Sequence, residues 1–127
     1  MTKARDLMTD SPTIVDAQTS ISDIARKLRD DRVGAVIVCN SDRRLQGVVT
    51  DRDIAVEVVA VGRDVTSTTA SDILSGRETV TIGADDDVDE AVRTVADHAV
   101  RRLPVIDDDR VVGMLSQADI ARHADDA

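Results

Sequence analysis

The chain of 127 residues contains no phenylalanine, tyrosine or tryptophan. That absence excludes a platform of rings on which single-stranded bases stack. It also excludes an aromatic cage for a quaternary ammonium. Cys39 is the single cysteine, so no intrachain disulfide can form. It lies in the apolar run Ala35–Cys39 and reads as a small buried hydrophobe. No apolar run approaches the roughly 20 residues that a membrane helix needs. The first residues, Met-Thr-Lys-Ala-Arg-Asp, carry acid early and form no apolar signal core, so the expected location is the cytoplasm.

Hydrophobic residues make up 42% of the chain, all of them aliphatic, sulfur-containing or alanine, enough to pack one domain or two very small ones sharing a core. The charge is lopsided. Asp and Glu number 25 against 16 Lys and Arg, a net charge of -9. Within those totals stand 22 Asp against 3 Glu, and 14 Arg against 2 Lys. Such a field repels a phosphate backbone and an anionic lipid surface, so neither nucleic acid nor membrane is an expected partner. Asp is a poor helix former, so helix propensity does not explain its excess. A salt-rich, halophilic cytoplasm would explain it, and so would a GC-rich genome.

The strongest feature is an internal duplication. Leu45-Gln46-Gly47-Val48-Val49-Thr50-Asp51-Arg52-Asp53-Ile54-Ala55 matches Val111 to Ala121 at an offset of 66. Val33 to Val38 match Val100 to Val105 at an offset of 67, so the first copy has one extra turn residue. Arg5 to Met8 match Ser71 to Leu74. Apolar residues at 21, 24, 25 and 28, and at 88, 91, 92 and 95, have the spacing of one buried helix face. Ser20 and Asp87 stand where helix caps belong. Strands are expected over 13–15, 35–39 and 45–49, and again over 80–82, 103–106 and 111–115. Further helices start at Asp51 and Gln117. The fold class is therefore α/β (α+β), ordered β-α-β-β-α twice, with repeats over 1–61 and 71–127 and a linker over 62–70.

Each third strand ends in Gly, two apolar residues, Thr or Ser, two variable residues, then Asp. The pairs are Thr50 with Asp53 and Ser116 with Asp119. Two readings fit. One is a helix cap, with the hydroxyl at the N-cap and the carboxylate at the positive end of the dipole. The other is a ribose phosphate site, in which free helix N–H groups and the hydroxyl meet phosphate and the carboxylate accepts the ribose hydroxyls.

This doubled motif, together with Val100-Arg101-Arg102-Leu103-Pro104-Val105 and the element order, resembles a pair of cystathionine β-synthase (CBS) domains, a Bateman module. The likeness runs from about Ala4 to Ala121. Thr50-Asp51-Arg52-Asp53-Ile54 further resembles small stand-alone CBS-pair proteins. The resemblance implies pseudo-two-fold repeats whose sheets pack on each other, flanked by helices. It implies an adenosine ligand, AMP, ADP, ATP or S-adenosylmethionine, in clefts between the repeats. Asp53 and Asp119 would hold ribose, Thr50 and Ser116 phosphate, and Arg101 and Arg102 would neutralise phosphate. Ile14 and Val36 would flank one adenine, and Val80 and Arg102 the other. No required cofactor, metal or catalytic residue follows. The implied role is regulatory rather than enzymatic, acting on a partner protein in trans, or as a ligand-free homodimer formed through Ile54, Val58, Val59, Ile120 and Ala121. His98 and His123 are far apart in the repeat and argue against a metal site.

Overall fold

The computed structural model describes residues 1–126, with side chains through residue 124. In chain order the elements are helix α1 (Ala4–Leu7), strand β1 (Ile14–Val15), helix α2 (Ile21–Asp31), strands β2 (Ala35–Cys39) and β3 (Leu45–Thr50), and helix α3 (Asp51–Ile54). Helix α4 (Ala70–Leu74), strand β4 (Ile82–Gly83), helix α5 (Val88–His98), strands β5 (Arg102–Asp107) and β6 (Arg110–Ser116), and helix α6 (Gln117–Asp126) follow. The β-α-β-β-α order is therefore realised twice.

The compact units in space differ from the repeats in sequence. One unit is Thr13–Thr79. The other joins Met1–Pro12 to the chain from Val80 onward. Each has a three-stranded sheet, ordered β1-β2-β3 in the first and β4-β5-β6 in the second. In each, the outer short strand is parallel to the middle strand and the hairpin is antiparallel.

In the Thr13–Thr79 unit the core gathers Val15, Ile21, Ile24, Val36, Val38, Val49, Val58, Ala70 and Ile73. Ser20 caps α2, its Oγ accepting the Asp23 N–H at 3.1 Å. Two of the four residues expected on the α2 face are fully buried, Ile21 and Ile24, while Leu28 is half-buried and Ala25 is exposed. The same holds in α5, where Val88 and Ala91 are buried and Val92 is exposed. The buried stripe is thus narrower than the apolar one. Both helices end on a left-handed residue that is not glycine, Arg32 at φ 55° and Ala99 at φ 52°.

The second unit is completed by the chain's beginning. Ala4 N–H donates to the Asp86 carbonyl (2.9 Å) and Arg5 N–H to the Ala84 carbonyl (3.0 Å). Thr9 and Met114 exchange two backbone bonds, at 2.8 and 3.0 Å. Arg5 grips Asp85 (2.9 Å) and Asp107 (3.0 Å). Ala4 is fully buried in a core with Ile82, Ala84, Ala91, Leu103, Val105 and Leu115.

The β4 strand starts later than its pattern suggests, at Ile82 rather than Val80. The cause is a proline. In the first unit Ile37 N–H donates to the Thr13 carbonyl at 2.9 Å, which extends the β1 pairing backwards. The position equivalent to Ile37 is Pro104, which has no N–H to offer Val80. The pairing moves forward instead, and Ala84 N–H donates to the Ile106 carbonyl at 2.8 Å.

Candidate functional site

Both motifs form reciprocal capping boxes at a strand-to-helix junction. In the first, Asp53 N–H donates to Thr50 Oγ (3.1 Å) and Thr50 N–H donates to Asp53 Oδ2 (2.9 Å). In the second, Asp119 N–H donates to Ser116 Oγ (3.0 Å) and Ser116 N–H donates to Asp119 Oδ2 (2.9 Å). The cap reading is therefore realised at both. One oxygen of each carboxylate stays outside the box. Asp53 Oδ1 meets Arg77 Nη1 at 3.2 Å, and Asp119 Oδ1 meets the Arg122 guanidinium. The two carboxyl side chains are 20% and 10% exposed. Thr50 and Ser116 each accept with the hydroxyl oxygen and keep an O–H to donate.

The expectation of open helix N–H groups is corrected at α3. In α3 all three first-turn N–H groups are engaged. Asp51 N–H donates to the Gly34 carbonyl at 2.9 Å, Arg52 N–H to Asp51 Oδ1 at 2.8 Å, and Asp53 N–H to Thr50 Oγ. At α6, Gln117 N–H donates to the Arg101 carbonyl at 2.7 Å and Asp119 N–H to Ser116 Oγ. At each start the carbonyl just ahead of the hairpin, of Gly34 or of Arg101, takes the first of these donors.

The structure brings Arg101, Arg102, Ser116 and Asp119 to one corner of the second unit, with Arg102 opposite Ser116 in the β5–β6 register. Arg101 is exposed and Arg102 half-buried. The matching corner of the first unit holds Thr50 and Asp53, but Gly34 and Ala35 stand where the arginines do, with Ala35 opposite Thr50. The two corners thus differ in charge. Val36 is fully buried in the first core beside Val49, so it lies inside the unit. Ile14 is half-buried and lines an open groove of about 420 Å³ with Asp16, Thr19, Lys27, Cys39 and Asn40, which does not include Thr50 or Asp53. Val80 is half-buried and packs against the second core.

Sequence reasoning missed two features. The motif glycines make room for the leading segments. A Cβ on Gly47 would come within 2.6 Å of Leu74 Cδ2, and one on Gly113 within 2.7 Å of the Thr9 carbonyl oxygen and against Met8 Sδ. The pairing of Gly47 with Leu74 and Gly113 with Met8 was signalled by the match of Arg5–Met8 to Ser71–Leu74. Arg77 was missed because it lies outside every repeated stretch.

The expected dimer residues are corrected in part. α3 gives way to a π-helical turn, Ala55–Val59, in which Ala60 N–H donates five residues back to the Ala55 carbonyl at 2.9 Å. Val58 points into the core, and Ile54 packs against it. The exposed valines of this segment are Val56 at 48%, Val59 at 61% and Val61 at 65%. Ile120 packs on the second core, while Ala121 is exposed. Cys39 is buried, and that burial pushes its thiol pKa up. Among the described residues no three His, Cys, Asp or Glu side chains converge as metal ligands. Among them, too, no helix is long and apolar enough to cross a membrane.

The doubled sheet units and their capped Thr/Ser–Asp corners define a pair of CBS domains. The CBS domain pattern matches residues 4–60 and 69–126, and the chain belongs to that family. Among its relatives is hypoxic response protein 1 of Mycobacterium tuberculosis, 37% identical over 124 residues, covering 97% of this chain and 85% of that protein. CBS domain-containing protein YhcV of Bacillus subtilis is 33% identical over 121 residues, covering 95% and 84%. A crystal structure of hypoxic response protein I with two coordinated zinc ions superposes with a TM-score of 0.87 at 36% identity, covering 96% of this chain and 98% of that one. The CBS pair of protein MJ0100, in complex with 5′-methylthioadenosine and S-adenosyl-L-methionine, superposes at 0.86 and 24% identity, covering 99% and 98%.

Proposed function

We propose that this regulatory CBS pair senses an adenosine-type ligand, AMP, ADP, ATP or S-adenosylmethionine, and acts on a partner protein in trans. The observation that carries this reading is the doubled capping box. Each box fixes a carboxylate through one oxygen and turns the other outward beside a hydroxyl that retains its proton. That set suits the paired hydroxyls of a ribose and one phosphate oxygen. Arg101 and Arg102 make the Ser116–Asp119 corner the one for a phosphorylated ligand, since they offset the net charge of -9 locally. The Thr50–Asp53 corner has no such pair and suits a ligand of lower negative charge. MJ0100 shows that this fold accommodates adenosine compounds in that protein.

Isothermal calorimetry with the four ligands, at low and high salt, tests the reading. Asp119→Asn keeps an acceptor for the cap and removes the charge. It should weaken AMP binding about ten- to a hundredfold, the loss of a charge-assisted pair. Asp53→Asn should leave AMP affinity at the other corner within about twofold. A wild-type protein that binds none of the four would overturn the proposal.

The exposed valines support a second reading, a homodimer that engages its partner without ligand. Val59→Asp would then shift the protein from dimer to monomer in light scattering. An unchanged mass would refute it.

A further inference from the structure

Arg77 does more than neutralise surface charge. It follows α4 in a tight turn in which Arg77 N–H donates to the Leu74 carbonyl at 3.0 Å, with Ser75 at φ -55°, ψ 123° and Gly76 at φ 78°. Those angles make a type II turn, which needs glycine at its third position. The turn is anchored at its first residue, because Leu74 occupies the space that Gly47 leaves open on β3. Seat and turn together aim one guanidinium back at the Thr50–Asp53 corner. There it bridges two carboxylates, Asp53 Oδ1 at 3.2 Å and Glu57 on the π-helical turn. The Arg77 side chain is only 32% exposed. The other corner has no counterpart. The position equivalent to Arg77 at an offset of 66 is Ser11, and Asp119 is met instead by Arg122 of its own helix.

We propose that Arg77 is a latch that occupies the outward oxygen of Asp53, so that a nucleoside diol binding there must displace it and thereby release residues 75–79, the stretch that leads into the second unit. The competition rests on the adenosine reading above, whereas the latch itself does not. A ligand gains Asp53 only by giving up the Arg77 pair, which tethers a separate segment, whereas Arg122 at the second corner lies on the same helix as Asp119 and tethers nothing else. Occupancy of the first corner is then read out as loosening of one short segment.

Two measurements separate these parts. The first is hydrogen–deuterium exchange of the ligand-free chain. Asp53→Asn and Arg77→Gln should each raise exchange over residues 75–79 about two- to fivefold, the range of a partly exposed ion pair. Unchanged exchange in both variants overturns the latch. The second is calorimetry with AMP and S-adenosylmethionine. Arg77→Gln should bind at the first corner about two- to fivefold tighter than wild type, and ligand should raise exchange over 75–79 in the wild type alone. Equal or weaker binding in Arg77→Gln overturns the competition. If neither probe binds any variant, the adenosine reading fails and the ligand-free exchange still decides the latch.

Discussion

Replacing Gly113 by alanine puts a methyl group 2.7 Å from the Thr9 carbonyl oxygen and against Met8 Sδ. The sulfur can swing aside, but the carbonyl belongs to backbone fixed by the paired bonds between Thr9 and Met114. Relief therefore requires the leading segment to lift. Overpacking of this kind costs about 1–3 kcal/mol. Weakening two backbone bonds adds about 0.5–1.5 kcal/mol each. Alanine returns about 0.5–1 kcal/mol through the entropy of the unfolded chain. With each contribution near the middle of its range, the net loss is about 2–4 kcal/mol. The same change at Gly47 meets only the end of Leu74, with no backbone atom among the closest three contacts. Rotation of that side chain relieves it, for a net loss of about 1 kcal/mol. An unfolding entropy of about 2.1 cal/mol/K per residue, taken over 127 residues, makes each kcal/mol worth about 4 °C. Gly113→Ala should thus melt about 8–15 °C below wild type and Gly47→Ala about 4 °C below. With no Trp or Tyr to follow, far-UV circular dichroism in heat and urea is the assay. If Gly47→Ala proves as costly as Gly113→Ala, the backbone obstruction at Thr9 is not what the glycine serves.

Ala99→Gly should stabilise by about 0.5 kcal/mol, because the left-handed strain of about 1–2 kcal/mol at φ 52° outweighs the entropy glycine costs; a lower urea midpoint would contradict this. The Asp85 carboxyl is held below the usual range, first by its hydrogen bond from Arg5 and then by charge. A lowered native value contributes stability above the unfolded value near pH 4, and that stability is lost as pH falls through the native value. Asp85→Asn should therefore flatten the decline in urea midpoint below about pH 4 and leave its shape at neutral pH unchanged. The decline persists in part, because Asp30 and Asp64 are lowered as well, by Arg29 and Thr66. Cys39 should resist a thiol reagent in the native protein and react on unfolding in urea, since it is buried and its thiol pKa is raised; full labelling within seconds in native buffer would refute its placement.

Much of this was legible in the sequence, because duplication prints the same pattern twice. The Ala35–Cys39 strand matches the structure residue for residue, and α3 and α6 start at Asp51 and Gln117 as the motif requires. What was hidden depends on contacts between distant parts of the chain. Pro104 shifts β4 through an N–H it lacks, which is visible only once its partner carbonyl is known. Val58 looked like surface because a helix was assumed to continue, whereas the π-helical turn changes the facing of every residue after Ile54. The caps at Thr50 and Ser116 were readable from residue type and spacing. The arginines that meet their outward oxygens were not, since Arg77 is 24 positions from Asp53 and lies outside the stretches that match between the repeats.

The second unit draws Ala4 and Arg5 from the far end of the chain, and this sets the order of events during synthesis. Thr13–Thr79 is contiguous and can close as soon as it leaves the ribosome. The later unit is finished only when residues translated well before it are drawn in. Until then Met1–Pro12 waits as an unpartnered leader with one buried alanine and a cationic hook. A tag or fusion at the amino terminus therefore burdens the carboxyl-terminal half of the protein.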